Sequence, residues 1–187
     1  MLTHDILAHQ AMLDAEEAHR RQRRKYSGEP YIRHPAEVAG IAAAAWARSH
    51  STEVTLDVFL AVCWLHDVVE DNHRSIEWLK MRYPEIVANG VLFLTENKQG
   101  IRSVRKSEHN ERIVLAPGWI KSIRLTDMIA NVRGLVGSAG VKDRLFVQLY
   151  LVEKRNLLKC LQGADHALLL AANSILQTEE AALAALL

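Results

Sequence analysis

At 187 residues, with 23 basic and 22 acidic side chains and a net charge of +1, the chain fits one domain and lacks the global field of a nucleic-acid binder. No apolar run approaches the roughly 18 residues that a bilayer span needs, and Met1 to Asp5 lack the basic start and apolar core of a signal peptide, so a soluble, cytoplasmic protein without membrane partners is expected. Cys63 and Cys160 stand alone, without metal-type or redox spacing, and read as buried free thiols.

Helical periodicity dominates and no run alternates as a half-buried strand does, which predicts an all-α single domain over residues 1–187. A first helix is expected from Thr3 to Arg24, ending in the basic run Arg20, Arg21, Arg23, Arg24 and Lys25, where cations suit the negative end of the helix dipole. Lys25 to Pro30 form a loop, since Gly28 and Pro30 both break helices. Pro35 suits the first helical position and leaves His34 at the cap of a helix from Ala36 to Ala47. A third helix runs from Leu56 to Glu70, capped by Thr52 or Thr55, followed by shorter helices at Ser75–Arg82 and Pro84–Leu94. Asn97 to Gly100 is loop, Ile101 to Val114 a polar helix, and Ile120 to Val132 a buried helix carrying one acid, Asp127. Gly134 to Gly140 is read as loop, Val141 to Leu161 as a long helix, and Ala164 to Leu187 as a last helix pair. Its apolar end, Ala181 to Leu187, suits packing on the core or on a second subunit, so homo-oligomerisation stays open.

The segment His66-Asp67-Val68-Val69-Glu70-Asp71 puts one imidazole and three carboxylates at the end of an apolar run. Burying that much charge is costly without a compensating cation. At 3.6 residues per turn His66, Asp67, Glu70 and Asp71 fall at about 0°, 100°, 40° and 140°, on one face. His34, His66, Asp67 and Asp127, from three helices, would make a nitrogen and oxygen site without thiolate, which suits Mn²⁺, Fe²⁺ or Co²⁺ better than structural zinc.

The order His34, then His66-Asp67, then Asp127 resembles the H...HD...D signature of the HD-domain metal-dependent phosphohydrolases. The likeness is closer to the hydrolase domain of the RelA/SpoT alarmone enzymes and the small alarmone hydrolases. Ser27-Gly28-Glu29-Pro30-Tyr31-Ile32-Arg33-His34-Pro35 is similar to their SGEPYIxHP segment, and Leu65-His66-Asp67-Val68-Val69-Glu70-Asp71 to their LHDVVED. Ile123 to Arg133 resembles, more loosely, their IKLADRLHNMR.

The resemblance implies that His34, His66, Asp67 and Asp127 hold Mn²⁺, with Fe²⁺, Co²⁺ or Zn²⁺ as other occupants. It makes Glu70 and Asp71 the catalytic acidic pair and gives Arg24, Lys25, Ser27 and Asn131 to the nucleotide. Tyr26 stands between Lys25 and Ser27, where the bifunctional enzymes have no residue, so which of Arg24 and Lys25 meets the base stays open. Met128 and Ala130 replace the Arg and His of the looser motif.

The activity implied is hydrolysis of the 3′-diphosphate of (p)ppGpp to GDP or GTP and pyrophosphate. Alternatives are another nucleotide (the adenosine alarmone, a nucleoside monophosphate or NADPH) or a non-catalytic alarmone sensor. Arg102, Arg105 and Lys106 suit either distal phosphates or an exposed helix face. A nucleic-acid module built on Arg20 to Lys25 would need more interleaved aromatics than Tyr26. His19 is expected to pack or hydrogen-bond within the first helix, and His4, His9, His50, His73, His109 and His166 show no readable role.

Overall fold

The fold is built around α7, Gly118–Val132, in which twelve side chains are buried, among them Ile120, Ile123, Leu125, Met128 and Val132. In the computed structural model, which describes residues 6–49, 53–71, 73–139 and 143–186, the other helices are α1 Leu7–His19, α2 Arg33–Ser49, α3 Leu56–Leu65, α4 Ile76–Arg82, α5 Glu85–Leu94, α6 Arg102–Val114, α8 Leu135–Ala139, α9 Arg144–Cys160 and α10 His166–Ala184. There is no strand among the described residues, as the all-α reading expects. Thr3 to Asp5, Thr52, Val141 and Leu187, which enter the expected element ends, lie outside the described residues.

Helices α1 and α2 pack on α3, and α7 is held between α2 and α10. The seam is made by Ala11, Ala15, Ala42, Ala61, Val62, Leu65 and Leu176, all removed from solvent; small residues on α1 and α2 let the helices approach closely. Thr55 caps α3 by accepting from the Val58 amide at 3.3 Å, and Ser75 caps α4 through the Trp78 amide at 3.1 Å. The start of α1 is capped from another helix: Asp57 accepts from the Leu7 and Ala8 amides at 3.1 and 2.8 Å.

The main departures from the expected elements have partners both near and far along the chain. Helix α1 stops at His19, because the Arg24 amide donates to Glu29 and the Tyr31 amide to Gln22, folding the basic run back on residues 29–31 through Gly28 at φ 70°. That run therefore lies beyond the helix dipole instead of ending it. His34 sits inside the first turn of α2, not at its cap, since Arg33 already bonds Pro30. Helix α3 ends at Leu65: the Val68 amide turns back to Leu65, and the His73 and Arg74 amides share the Val68 carbonyl, so His66 to Asp71 form consecutive tight turns. Residues 135–139, read as loop, form α8, whose start is capped by Glu179 accepting from the Gly134 and Val136 amides at 2.7 and 2.8 Å. The expected C-terminal pair is one helix, α10. Of the two thiols, Cys63 is buried and Cys160 only half-buried.

Candidate active site

His34 enters from the first turn of α2, His66 follows the last turn of α3, Asp67 is its neighbour, and Asp127 comes from the middle of α7. Their reactive atoms meet at one point. His34 Nε2 lies 3.2 Å from His66 Nε2 and 3.2 Å from Asp127 Oδ1, and Asp67 Oδ2 lies 3.0 Å from His66 Nε2 and 3.5 Å from His34 Nε2. His34, His66 and Asp127 each offer a ligand atom within 4.8 Å of the others, and all three are buried.

Outer contacts aim each group. His66 Nδ1 donates to the Cys63 carbonyl at 2.8 Å, which turns Nε2 toward the cluster. The Tyr31 hydroxyl donates to Asp67 Oδ2 at 2.7 Å; burial and the charge of Asp67 raise the phenol pKa and keep it protonated. Asp127 is gripped at both oxygens, by Asn131 Nδ2 at 2.5 Å and by Arg124 Nη1 at 2.5 Å.

Burial by itself would push the two carboxyls up and the two imidazoles down. Proximity reverses both. His66 and His34 hold Asp67 well below the usual carboxylate range, Arg124 and the imidazoles do so for Asp127, and the carboxylates raise His34 and, further, His66. Two buried carboxylates therefore stay ionised against two imidazoles, and a bound divalent cation would take the place of the imidazole protons. Four convergent nitrogen and oxygen donors without thiolate fit a divalent cation.

Glu70 and Asp71 flank this point. Glu70 Oε2 accepts from the Glu96 amide at 3.0 Å; burial, then the charge of Asp67, raises its pKa despite Arg124 and Lys98 nearby. Asp71 accepts from Lys98 Nζ at 2.6 Å and from Gln22 Nε2 at 2.7 Å, and Lys98 Nζ is also 3.7 Å from Glu70.

Two adjoining cavities open on the cluster. One, of about 430 Å³, is lined by Arg24, Lys25, Ser27, His34 and Asn131, with Phe146 and Tyr150 as aromatic walls. The other, of about 390 Å³, is lined by Asp67, Glu70, Asp127 and Asn131 beside Lys98, Arg102, Arg105 and Lys106. Tyr31, Asn131, Phe146 and Tyr150 line both. Arg24 reaches Glu37 and the Ala130 carbonyl at 3.4 Å each, Lys25 donates to Asp143 at 2.8 Å beneath the Phe146 ring, and Ser27 accepts from the Glu29 amide at 3.4 Å. His66 and Asp71 line neither cavity.

Sequence reasoning missed Gln22, His73, Lys98, Arg124 and Lys154. Gln22 Oε1 faces His19 Nδ1 at 2.6 Å and His73 Nε2 at 2.8 Å, accepting from both while its amide donates to Asp71. His19 thus bonds past the end of α1 and stacks near Tyr31, with ring centroids 4.9 Å apart. Arg124, a charge three residues before Asp127 in an apolar helix, carried a readable signal; Lys98, in a polar loop, carried none.

The chain is 34% identical over 122 residues to the guanosine-3′,5′-bis(diphosphate) 3′-pyrophosphohydrolase MESH1 of Danio rerio, covering 65% of this chain and 64% of that relative, a little under two thirds of its length. It is 31% identical over 157 residues to the protein of that name from Mus musculus, covering 82% and 84%. Among solved structures, a metazoan orthologue of SpoT described as hydrolysing ppGpp superposes with a TM-score of 0.82 at 25% identity, covering 92% of this chain and 94% of the other. No family model matches the chain. Among the described residues, no helix is long and apolar enough to cross a membrane.

Proposed function

The chain belongs to the HD-domain (p)ppGpp hydrolase family of MESH1 and SpoT, and on that footing we propose that it hydrolyses the 3′-diphosphate of (p)ppGpp, releasing pyrophosphate and leaving GDP or GTP. One observation carries the reading from the residues: two imidazole nitrogens and two carboxylates converge within hydrogen-bond distances beside a carboxyl of raised pKa, at the junction of two cavities.

His34, His66, Asp67 and Asp127 would hold the metal, and a donor set without thiolate favours Mn²⁺, with Fe²⁺, Co²⁺ or Zn²⁺ as competitors. When bound, the ion supplies Lewis-acid charge at the phosphoryl group. Glu70 takes the proton of the attacking water. Burial and the charge of Asp67 raise its pKa above the ordinary carboxylate value, which makes it a stronger proton acceptor, and a base positioned this way contributes typically 10²–10⁴ in rate. Water attacks the phosphorus bonded to O3′, that P–O3′ bond breaks, the water oxygen leaves on pyrophosphate, and O3′ gains a proton. Asp71, fixed by Lys98 and Gln22, completes the acidic pair.

Arg24 and Lys25 supply charge or a stacking plane for the nucleotide, Ser27 a hydroxyl, and Asn131 orients substrate from the shared wall of the two cavities. Lys98, Arg102, Arg105 and Lys106 share a cavity with Glu70 and suit the diphosphate. The two free cysteines suit a reducing, cytoplasmic setting.

Incubation with ppGpp and Mn²⁺, with and without chelator, tests the assignment: chromatography should find GDP and pyrophosphate only in the chelator-free sample. Release of inorganic phosphate instead, or turnover indifferent to chelator, contradicts it.

A further inference from the structure

A cavity of about 410 Å³ lies between α6 and α9, and it is lined by Lys106, Arg124 and Lys154, which also line the pocket that holds Asp67, Glu70 and Asp127. These three cations form the wall between the two spaces. His109 lines only the α6–α9 side. Lys154, Arg124 and His109 are 5%, 8% and 2% exposed.

The hydrogen-bond supply on this wall is one-sided. Arg112 Nη2 lies 2.9 Å from His109 Nδ1 and donates to it, so the neutral ring carries its proton on Nε2, and that buried N–H has no acceptor among the described residues. The Arg124 Nε–H is also buried without an acceptor among the described residues. Lys106 has Glu96 and Arg124 has Asp127, but among the described residues Lys154 has no carboxylate within 4.0 Å; its ammonium sits 4.6 Å above the Tyr150 ring. Glu153 also lines the cavity, yet both its oxygens accept from Arg102, at 2.7 and 2.8 Å. Buried donors and an unneutralised buried cation are expensive unless an acceptor with negative charge joins them. Burial, then Arg124, depresses Lys154 to about 8, and burial with four neighbouring cations depresses His109 to about 2, as expected where positive charge is in local excess.

We propose that the α6–α9 cavity is an oxyanion site that takes a phosphate or pyrophosphate group on Lys154, the Arg124 Nε–H and the His109 Nε2–H. The site itself does not depend on the hydrolase reading. That its natural occupant is released pyrophosphate, formed one wall away, does rest on it.

Calorimetric titration with inorganic pyrophosphate and, separately, inorganic phosphate tests the site in wild type, Lys154→Met and His109→Leu, with thermal melts to establish that each variant is folded. Because His109 does not line the catalytic pocket, its variant reads the cavity alone. One binding event should weaken by at least about tenfold in both variants, or about 1.4 kcal/mol. A loss confined to pyrophosphate identifies the product as occupant; equal loss for both anions identifies free phosphate. Wild-type affinity in both folded variants, or no binding of either anion at millimolar concentration, overturns the proposal. Pyrophosphate release from ppGpp by the same proteins is read separately: turnover without anion binding refutes the site and leaves the hydrolase assignment standing.

Discussion

The Nδ1 proton of His66 goes to the carbonyl oxygen of Cys63, 2.8 Å away, so a backbone group fixes which nitrogen faces His34, Asp67 and Asp127. Asp127 is constrained from the opposite side, by Asn131 and Arg124 at 2.5 Å each. Asp127→Asn swaps an ionised acceptor for a half-donor amide against both partners. Elemental analysis after Mn²⁺ loading should find metal lost, and pyrophosphate release should be abolished; a variant that retains full metal removes Asp127 from the ligand set.

Glu70→Gln separates chemistry from metal binding. Glu70 lies beside the cluster and not among its converging atoms, so the variant should keep its metal while kcat falls by roughly 10²–10⁴. Unchanged kcat would exclude Glu70 as the base.

Gln22 joins Asp71 to two imidazoles. Gln22→Leu strands the His19 and His73 donors and one Asp71 oxygen, a loss of about 1–3 kcal/mol in unfolding free energy by urea titration. Because Asp71 then keeps only Lys98, kcat should fall with KM nearly unchanged. A drop in stability alone would make the network structural only.

Gly118 opens α7 against the loop before α10. A Cβ there would stand 2.6 Å from the Gly163 carbonyl oxygen, which is backbone and cannot rotate away. Gly118→Ala should destabilise by about 1–3 kcal/mol, and because α7 carries Asp127 and Asn131, metal affinity should weaken as well. A midpoint in urea equal to that of wild type would show that the two segments can separate at little cost.

Lys154 gives stability an alkaline slope. Its folded pKa of about 8 lies below the usual 10.5, so between those values the unfolded chain holds a proton that the folded chain has shed, and stability rises with pH, by at most about 3 kcal/mol. Below pH 8 both states are protonated and the full penalty of the buried ammonium is present. In phosphate-free buffer, Lys154→Met should exceed wild type in stability at pH 7, with the gap closing by pH 10. A gap that is the same at both pH values means Lys154 is not buried as a charge.

All-helical architecture, the main helices and the convergence of His34, His66, Asp67 and Asp127 were legible in the sequence. Periodicity reports which face of each helix is apolar, and charges inside apolar runs must find one another or a cation. Boundaries set by distant partners were not legible: α8 exists because Glu179, more than forty residues away, caps it, and α1 ends where Gln22 and Arg24 bond to residues 29–31. Nor could periodicity show that Gln22 and His73 stand behind Asp71, or that Lys154 and His109 share a cavity with Arg124. Spacing along one helix determines a residue's angle about that axis, whereas its neighbours across the core depend on how separate helices pack, and only the tertiary structure decides that.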